Sequence, residues 1–341
     1  MSNVSFPALG LSFELNRTAI TIGGFEVYWY GIIIGVGMLL AMLYAFSKTK
    51  ELGIDDDKFF DVIIVGIIAG VVGARAYYII FSSPGQFNTF ADIIDIRDGG
   101  LGFYGAVIFA FASVFFMCRY KKMKMLPILD ITSIGFLLGQ GLGRWGNFFN
   151  QEAFGTNTKL PWGMTSDTIQ RYLTSNLSNI EAHGMKVDPS LPVHPTFLYE
   201  SIWLLIGFLV LTLFLKKRRF DGELTLMFIA WNGAGRVFIE GLRTDSLYLG
   251  NIRISQLLAG VGVILSIGAI VFIRIKQKKS GDEKFLMPFG HTEEWATEYA
   301  AIAERQEQAK AKKETAKEAQ KKWIEKENEL KKGDGKPEEK K

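Results

Sequence analysis

Long apolar stretches recur along the chain as far as about residue 275, and short polar or basic segments separate them. A helix that crosses the hydrocarbon core of a bilayer needs about 20 mostly apolar residues. The pattern therefore predicts an all-α, polytopic membrane protein with seven transmembrane helices. The predicted helices cover residues 27–47, 59–81, 101–118, 126–143, 197–215, 222–241 and 254–273.

Basic residues concentrate in every second loop between these stretches, which predicts the orientation of the chain because cytoplasmic loops are enriched in Lys and Arg. The N-terminus is expected outside and the C-terminus in the cytoplasm. The basic residues that carry this prediction are Lys48, Lys50, Lys58, Arg119, Lys121, Lys122, Lys124, Lys216, Lys217, Arg218, Arg219, Arg274, Lys276, Lys278 and Lys279.

Three regions follow from this arrangement. Residues 1–26 are expected to form an extracytoplasmic N-terminal segment, and residues 27–275 a seven-helix membrane domain that would hold any active site. Within that domain, residues 144–196 are mixed polar and aromatic and are expected to form a small, irregular extracytoplasmic cap. Residues 276–341 are rich in Lys, Glu, Ala and Gln, a composition that favours a solvated helix or disorder in a cytoplasmic tail.

Composition excludes some kinds of chemistry. A single cysteine, Cys118, cannot form an intrachain disulfide, and three scattered histidines do not form a zinc-type cluster. No metal and no cofactor are expected, and no nucleic acid is expected as a partner. Cys118 lies in an apolar stretch, where a packing role is favoured over a catalytic thiol.

Polar and charged residues inside the predicted helices are the main functional signal, because a charge at the centre of a membrane helix costs about 2.5–3.5 kcal/mol. With the predicted orientation imposed, most of them gather at the outer ends of six helices. Asp61 and Asp130 lie at inner ends and are expected to be ordinary boundary residues. The outer group comprises Tyr28, Tyr30, Arg75, Gly99, Gly100, Tyr104, Arg144, Asn147, His194, Tyr199, Glu200, Asn232, Arg236, Glu240 and Arg243.

Arg144 and Arg236 are the centre of this group. An arginine cannot neutralise itself by losing a proton, so it requires anions or carbonyl oxygens as partners. Glu240 lies one helical turn after Arg236 and is a candidate partner. Buried ion pairs that only tie helices together are the structural alternative, and for Arg75 that alternative is as plausible as function. Arg144 and Arg236 outnumber the nearby acids, and a net-positive pocket at headgroup depth suits a lipid phosphate.

Five segments in order resemble the motifs of prolipoprotein diacylglyceryl transferases, and the resemblance extends over about residues 20–275. The most specific segment is 143–155, GRWGNFFNQEAFG. The others are 28–31 (YWYG), 98–101 (DGGL), 194–200 (HPTFLYE) and the pair Gly235 and Arg236 with Glu240 and Arg243.

The resemblance implies an enzyme of the bacterial plasma membrane that transfers the diacylglyceryl group of phosphatidylglycerol to the lipobox cysteine of a prolipoprotein. Glycerol 1-phosphate is released, and the partners are phosphatidylglycerol, lipobox prolipoproteins and membrane lipid. Arg144 and Arg236 would hold the phosphate and stabilise the leaving group. Further residues of the implied site are Tyr30, Gly99, Gly100 and Asn147 for lipid binding, with Arg75, Asn150, Glu152, Gly155, His194, Tyr199, Glu240 and Arg243 in support. Of these, Asn150 would donate hydrogen bonds and Glu152 would orient an arginine.

Two positions depart from the family pattern. Tyr104, which is counted with Arg144 and Arg236 among the catalytic residues, stands where many members have the histidine that is favoured as the base for the thiol. A phenol is a poorer base at neutral pH than an imidazole. Either Tyr104 positions substrate while the arginines favour the thiolate, or His194 substitutes, although a helix-entry role for His194 is the preferred reading. Asn232 stands where some members have tyrosine, so no role is transferred to it.

Two other classes of function remain open from the residues alone. A transporter for phosphate esters would also use arginines, but transporters place their binding groups near the midplane of repeated halves. No internal repeat is visible, and the polar groups lie at one face. A membrane scaffold that uses the tail for docking is the third class.

Overall fold

The computed structural model describes residues 2–82, 87, 89–95, 99–244, 248–249, 252–282 and 284–333. It divides into two compact units, Met1–Gly290 and His291–Lys341. The first unit extends past the predicted start of the tail at residue 276, because the last long helix of that unit continues to Ser280.

Helices dominate the first unit. The long ones end at capped or left-handed residues, such as Gly53 after the first helix and Gly281 after the last. The helices of the described residues are α1 (Trp29–Leu52), α2 (Asp56–Ile80), α3 (Phe90–Ile94), α4 (Phe103–Tyr120), α5 (Met125–Asn150), α6 (Asp167–Ala182), α7 (Thr196–Phe214), α8 (Glu223–Glu240), α9 (Ile254–Ser280) and α10 (Glu293–Gly333).

The predicted fold class is confirmed, since six described helices are long and apolar enough to cross a membrane. They are α1, α2, α4, α5, α7 with its following turn, and α9. The sixth predicted segment is also helical, as α8, but its 18 residues include Glu223, Arg236 and Glu240. Because of these charges, α8 is not among the helices that are apolar enough to cross a membrane. The number of seven membrane spans and their sidedness therefore stay predictions.

Helix α5 lies at the centre of the packing. Half of the residues in its most apolar stretch are buried, compared with 6% for α9 and 11% for α1. Ile128, Ile131, Ile134 and Leu137 on α5 are fully buried. The main helix pairs are α2 with α4, α1 with α5, α8 with α9 and α5 with α7. Because α5 contacts α1, α7 and α8, it can present polar side chains to neighbours on several sides.

The N-terminal segment and the cap form one structure with short strands, whereas the sequence predicted an irregular cap. The strands are β1 (Ser2–Phe6), β2 (Leu11–Leu15), β3 (Thr18–Ile22), β4 (Phe25–Tyr28), β5 (Thr165–Ser166), β6 (Tyr248–Leu249) and β7 (Ile252–Arg253). β1 pairs with β2 and, antiparallel, with β5 of the cap. β3 pairs with β4, and β6 pairs with β7.

The cap also has an apolar core of its own. Met164, Ile169, Leu173, Ile180 and Val193 are buried there, and three of them come from one face of α6. Ser166 caps α6 by accepting a hydrogen bond from the backbone N–H of Ile169 at 3.2 Å. The cap therefore has a packed core of its own, next to the end of α5 and the start of α7.

At the opposite end of the helices, the prediction for Asp130 was wrong. Its side chain is fully buried and accepts hydrogen bonds from the backbone N–H groups of Gly222 and Thr225, both at 2.8 Å. The Thr225 hydroxyl donates to the same carboxylate at 2.8 Å. Asp130 therefore satisfies the otherwise unpaired N–H groups at the start of α8 from a neighbouring helix. Asp61, by contrast, is a half-exposed partner of Lys121.

The second unit is built around α10, a helix of 41 residues. Its side chains from 303 to 325 are exposed, and charged residues occur on all sides of the helix. Trp295, near the start of the helix, is buried, but the part from residue 303 has no apolar face on which a core could form. The solvated-helix alternative for the tail stays a prediction.

Candidate active site

Arg144 and Arg236 come together through one carboxylate, that of Glu200. The Nε atom of Arg144 lies 2.7 Å from Oε2 of Glu200, and the Nη1 atom of Arg236 lies 3.1 Å from Oε1 of the same glutamate. The three residues come from α5, α8 and α7, at the helix ends next to the cap. Because one glutamate bridges both arginines, the two guanidinium groups lie within reach of a single ligand.

Two further charged residues complete what we call the arginine cluster, which consists of Arg144, Glu200, Arg236, Glu240 and Arg243. Oε2 of Glu240, one turn away on α8, lies 2.9 Å from Nη2 of Arg236. Nη1 of Arg243 lies 3.7 Å from Oε1 of Glu200. Three guanidinium groups and two carboxylates leave the cluster with a net charge of +1. Arg144 and Arg236 alone, which were expected to outnumber the nearby acids, face two carboxylates, so the excess of one positive charge comes from Arg243.

Burial within the cluster is unequal. The side chains of Glu200 and Glu240 are only 7% and 2% exposed, whereas those of Arg144 and Arg236 are 24% and 31% exposed. The carboxylates are thus the more deeply buried members, and Arg144 and Arg236 are the more accessible ones. An incoming anion meets the arginines first, while the glutamates hold them at a fixed spacing.

Asn147, Asn150 and Glu152 form a second polar group beside Arg144. Oε1 of Glu152 accepts hydrogen bonds from the side-chain amides of Asn147 at 2.8 Å and Asn150 at 3.1 Å. Arg17 of the N-terminal segment donates to Asn150 at 3.3 Å. Glu152 was expected to orient an arginine, and the described contacts show it orienting two asparagines instead. The chain can turn back in this way because Gln151 ends α5 in the left-handed region, with φ 54°.

Gly155 and His194 anchor the cap to the cluster. The N–H of Gly155 donates to the carbonyl of His194 at 2.9 Å, and Gly155 also forms a β-bridge with Arg243. A Cβ on Gly155 would lie 2.9 Å from both the Cβ of His194 and the carbonyl oxygen of Leu242. Glycine is required here by close approach of three segments.

The ring of His194 contacts Tyr199 rather than the arginines. Its Nδ1 lies 3.1 Å from the Tyr199 hydroxyl, which also accepts a hydrogen bond from Trp162 at 2.8 Å. Burial lowers the pKa of His194 below its usual range, since the charged imidazolium loses hydration. A neutral His194 at the entrance to α7 fits the preferred sequence reading.

Arg75 is occupied by backbone oxygens at the same end of the helices. Its guanidinium donates to the carbonyls of Asp92, Ile93 and Gly100 at 2.6, 2.8 and 3.0 Å, and to that of Gly99 at 3.3 Å. Gly99 and Gly100 both have positive φ, 89° and 73°. Arg75 therefore shapes the segment before α4, which favours its structural alternative. Asp98, part of the same motif, lies outside the described residues.

A large cavity lies between α1, α2 and α5 and reaches the arginine cluster. Its volume is about 690 Å³, within the size range of sites for small organic ligands. On α1 the lining runs from Tyr30 to Phe46, a distance of about 24 Å at the rise of an α-helix. Most of the wall is apolar, and Tyr30, Arg144 and Asn147 stand at one end.

A second pocket adjoins the large one on the other side of α5. Its volume is about 20 Å³, which accommodates one water-sized group. Arg144, Glu200 and Arg236 line it together with Gln140 and Asn232, and Gln140 and Arg144 line both cavities. Sequence reasoning missed Gln140, although its position one turn before Arg144 on α5 was a usable signal.

Tyr104 stands apart from both cavities. Its side chain is 58% exposed in the first turn of α4, and its ring lies 6.3 Å from that of Tyr77. The neighbouring Phe103 lines the large cavity. The structure thus brings Tyr30, Asn147 and the arginine cluster together, with Asn150 and Glu152 beside them. Tyr104, Arg75 and the two glycines lie elsewhere at the same end.

Comparison with known proteins identifies the family. A family model described as prolipoprotein diacylglyceryl transferase matches residues 17–272. The phosphatidylglycerol–prolipoprotein diacylglyceryl transferase of Finegoldia magna is 39% identical over 274 residues, which is 79% of this chain and 100% of that protein. A relative of the same name from Clostridium perfringens is 41% identical over 78% of this chain and 98% of its own length. This chain therefore belongs to the prolipoprotein diacylglyceryl transferase family and is a multi-pass bacterial membrane protein.

Proposed function

We propose that the chain transfers the diacylglyceryl group of phosphatidylglycerol to the lipobox cysteine of a prolipoprotein, and that the arginine cluster holds the phosphate during transfer. One observation carries the assignment of the site. Two partly exposed guanidinium groups are fixed by a single buried glutamate; that of Arg144 stands at the polar end of a long apolar cavity, and that of Arg236 lines the small pocket next to it. A phospholipid has the same order of groups, a charged phosphate at one end and acyl chains behind it.

The lipid is proposed to lie with its acyl chains along the apolar wall between α1, α2 and α5. Its phosphate then lies at Arg144, beside Asn147 and Tyr30. Guanidinium groups bind phosphate oxygens through paired, charge-assisted hydrogen bonds. Glu200 keeps Arg144 and Arg236 at the spacing that one phosphate requires, and the net charge of +1 leaves the cluster able to accept an anion.

Transfer consists of one substitution at carbon. The cysteine sulfur attacks the glycerol carbon that bears the phosphate, an S–C bond forms and the C–O bond to phosphate breaks. The departing oxygen keeps the electron pair, so glycerol 1-phosphate leaves with an additional negative charge. Arginines aimed at that oxygen stabilise the transition state more than the ground state. Removal of one such preorganised donor typically costs a factor of about 10²–10³ in rate.

The thiol must lose its proton before or during attack. Cationic neighbours lower the pKa of a cysteine thiol, and we assign this task to the arginine cluster, with the proton passing to solvent at the cavity entrance. His194 is neutral and held by Tyr199, and Tyr104 is exposed and lines neither cavity. Neither observation places a side-chain base next to the arginines.

The direct test is incubation of the purified protein with phosphatidylglycerol and a synthetic lipobox peptide, followed by mass spectrometry. The expected product is a peptide heavier by one thioether-linked diacylglyceryl group, with glycerol 1-phosphate released in equal amount. A peptide with serine in place of the cysteine is the control and should not change. Uptake of glycerol phosphate into liposomes without peptide modification would instead indicate a transporter.

A further inference from the structure

Two amide side chains lie one helical turn below the arginines. Gln140 precedes Arg144 by four residues on α5, and Asn232 precedes Arg236 by four residues on α8. The Nδ2 group of Asn232 donates to Oε1 of Gln140 at 2.9 Å. At the rise of an α-helix, this amide pair is about 6 Å farther from the cap than the arginine pair. Both helices thus place an amide and a guanidinium at matching depths.

The hydrogen bond between the amides does not use the N–H donors of Gln140. An amide NH2 group has two N–H donors, and only the carbonyl oxygen of Gln140 is used by Asn232. Within the part of the chain that the structure describes, the Gln140 amide nitrogen makes no hydrogen bond. Its side chain is half-buried and lines both the large cavity and the small pocket. Asn232 therefore fixes the Gln140 amide beside the cavities and leaves both of its N–H donors available.

A diacyl lipid offers an acceptor at this depth. Only glycerol carbons and an ester oxygen separate its phosphate from the ester carbonyls, so the carbonyls follow the phosphate by about one helical turn. Their oxygens accept hydrogen bonds and donate none, which matches the free N–H groups of Gln140. The small pocket of about 20 Å³ holds one group of that size.

We infer that Gln140, held by Asn232, donates a hydrogen bond to an ester carbonyl of the diacylglyceryl group and so positions the glycerol carbon for attack. The inference rests on the proposed function, because the depth of the phosphate is set by Arg144 and Arg236. It adds a contact to the part of the lipid that is transferred rather than to the part that leaves. Gln140 is in this sense a substrate-positioning residue.

A specificity follows from this contact. The dialkyl ether analogue of phosphatidylglycerol keeps the phosphate and the glycerol headgroup but has no ester carbonyl. The protein should therefore use the diester lipid about three- to tenfold better in kcat/KM, as one net hydrogen bond would give. The difference should appear in kcat as well as in KM for the lipid, since a lipid without the contact binds less well and is also held less well for attack.

The test compares transfer from both lipids by the full-length wild-type protein and by Gln140→Met, a change that keeps the length of the side chain. Gln140→Met should lower kcat/KM for the diester by about three- to tenfold and abolish the preference over the ether. Asn232→Leu should reduce the preference less, because Gln140 stays in place but loses its fixed orientation. Gln170→Met, in α6 of the cap and outside both cavities, is the matched control and should keep the preference.

An unchanged diester preference in Gln140→Met, or an equal loss on both lipids, would overturn the inference. If the wild type transfers from neither lipid, the proposed function fails, and lipid binding then tests the inference separately. In that arm, the rise in Tm on adding diester lipid should exceed the rise with ether lipid in the wild type. The two rises should be equal in Gln140→Met, and a persistent difference would contradict the contact.

Discussion

Two groups of charged residues lie at opposite ends of the helices. They differ in how completely hydrogen-bond partners and opposite charges satisfy their members. In the group at the end away from the cap, which is predicted to be cytoplasmic and is here called the inner group, Asp130 is fully buried and accepts from Gly222 and Thr225. Glu223 is fully buried too, and it accepts from the Arg219 backbone and from Arg274, each at 2.6 Å. In the arginine cluster, the carboxylates are buried, but the guanidinium groups are partly exposed and the net charge is +1.

The difference shows how to separate structural from functional charges in a membrane protein. Both groups would be costly if they were unpaired in a medium of low polarity. The inner group meets that cost with backbone N–H groups and matched ion pairs, so little capacity remains for a ligand. The arginine cluster keeps exposed donors beside two cavities. Removal of a residue should therefore affect stability in the inner group and catalysis in the arginine cluster.

The largest effect is expected from Arg144→Ala. Loss of this guanidinium removes a phosphate ligand and a stabiliser of the leaving group, so transfer should fall by about 10²–10³-fold. The measurement is the rate of peptide modification with phosphatidylglycerol. Arg171→Ala, an arginine on α6 that donates to a carbonyl of its own helix, is the control and should transfer at the wild-type rate. A wild-type rate for Arg144→Ala would remove Arg144 from the reaction.

Asp130→Ala should produce the converse result. It leaves two backbone N–H groups of α8 buried without partners, which should lower the free energy of unfolding by about 3 kcal/mol. The rate per folded molecule should stay within about twofold of wild type. Unfolding in mixed micelles measures the first quantity. Asp61→Ala, at a half-exposed aspartate of the same end, should change stability little. Equal effects of the two substitutions would contradict the matched inner group.

Tyr104→Phe should have a smaller effect. The phenol is exposed and lies against Tyr77 outside both cavities, so transfer should remain within about twofold of wild type from pH 6 to pH 9. Rates across this pH range provide the measurement. A loss of tenfold or more would return the phenol to a catalytic role and would require the start of α4 to move toward the cluster.

The smallest expected effect concerns His194 and pH. Because burial lowers its pKa in the folded protein, the unfolded chain binds a proton more readily as pH falls below about 6.5. Stability should therefore decrease toward low pH, and His194→Gln should lessen that decrease. Comparison of Tm at pH 7.5 and pH 5.5 for both proteins tests this. The same decrease in both would show that His194 does not contribute.

The long helices and the depth of the polar groups could be predicted from the sequence, because apolar length and the placement of charge are local properties. The convergence of Arg144 and Arg236 followed from those two properties and the alternation of the helices. Glu200 had been placed at the same depth, but its role as the bridge between both arginines depends on how α5, α7 and α8 pack.

Partner choice was not predictable for the same reason. Asp130 resembled a boundary residue because the N–H groups that donate hydrogen bonds to it lie more than 90 positions away in the sequence, at the start of α8. Arg75 donates hydrogen bonds to backbone carbonyls, and Glu152 accepts hydrogen bonds from asparagines. Such groups pair with whatever tertiary structure brings close, and spacing along one helix does not reveal it. The pairing of β1 with β5 was hidden for the same reason.

The most direct test is an experimental structure of the protein in a bilayer nanodisc that contains phosphatidylglycerol. The expected result is a lipid whose acyl chains lie between α1, α2 and α5 and whose phosphate oxygens lie about 3 Å from guanidinium nitrogens of both Arg144 and Arg236. A phosphate bound away from these two arginines, with Glu200 still bridging them, would contradict the assignment of the arginine cluster as the phosphate site.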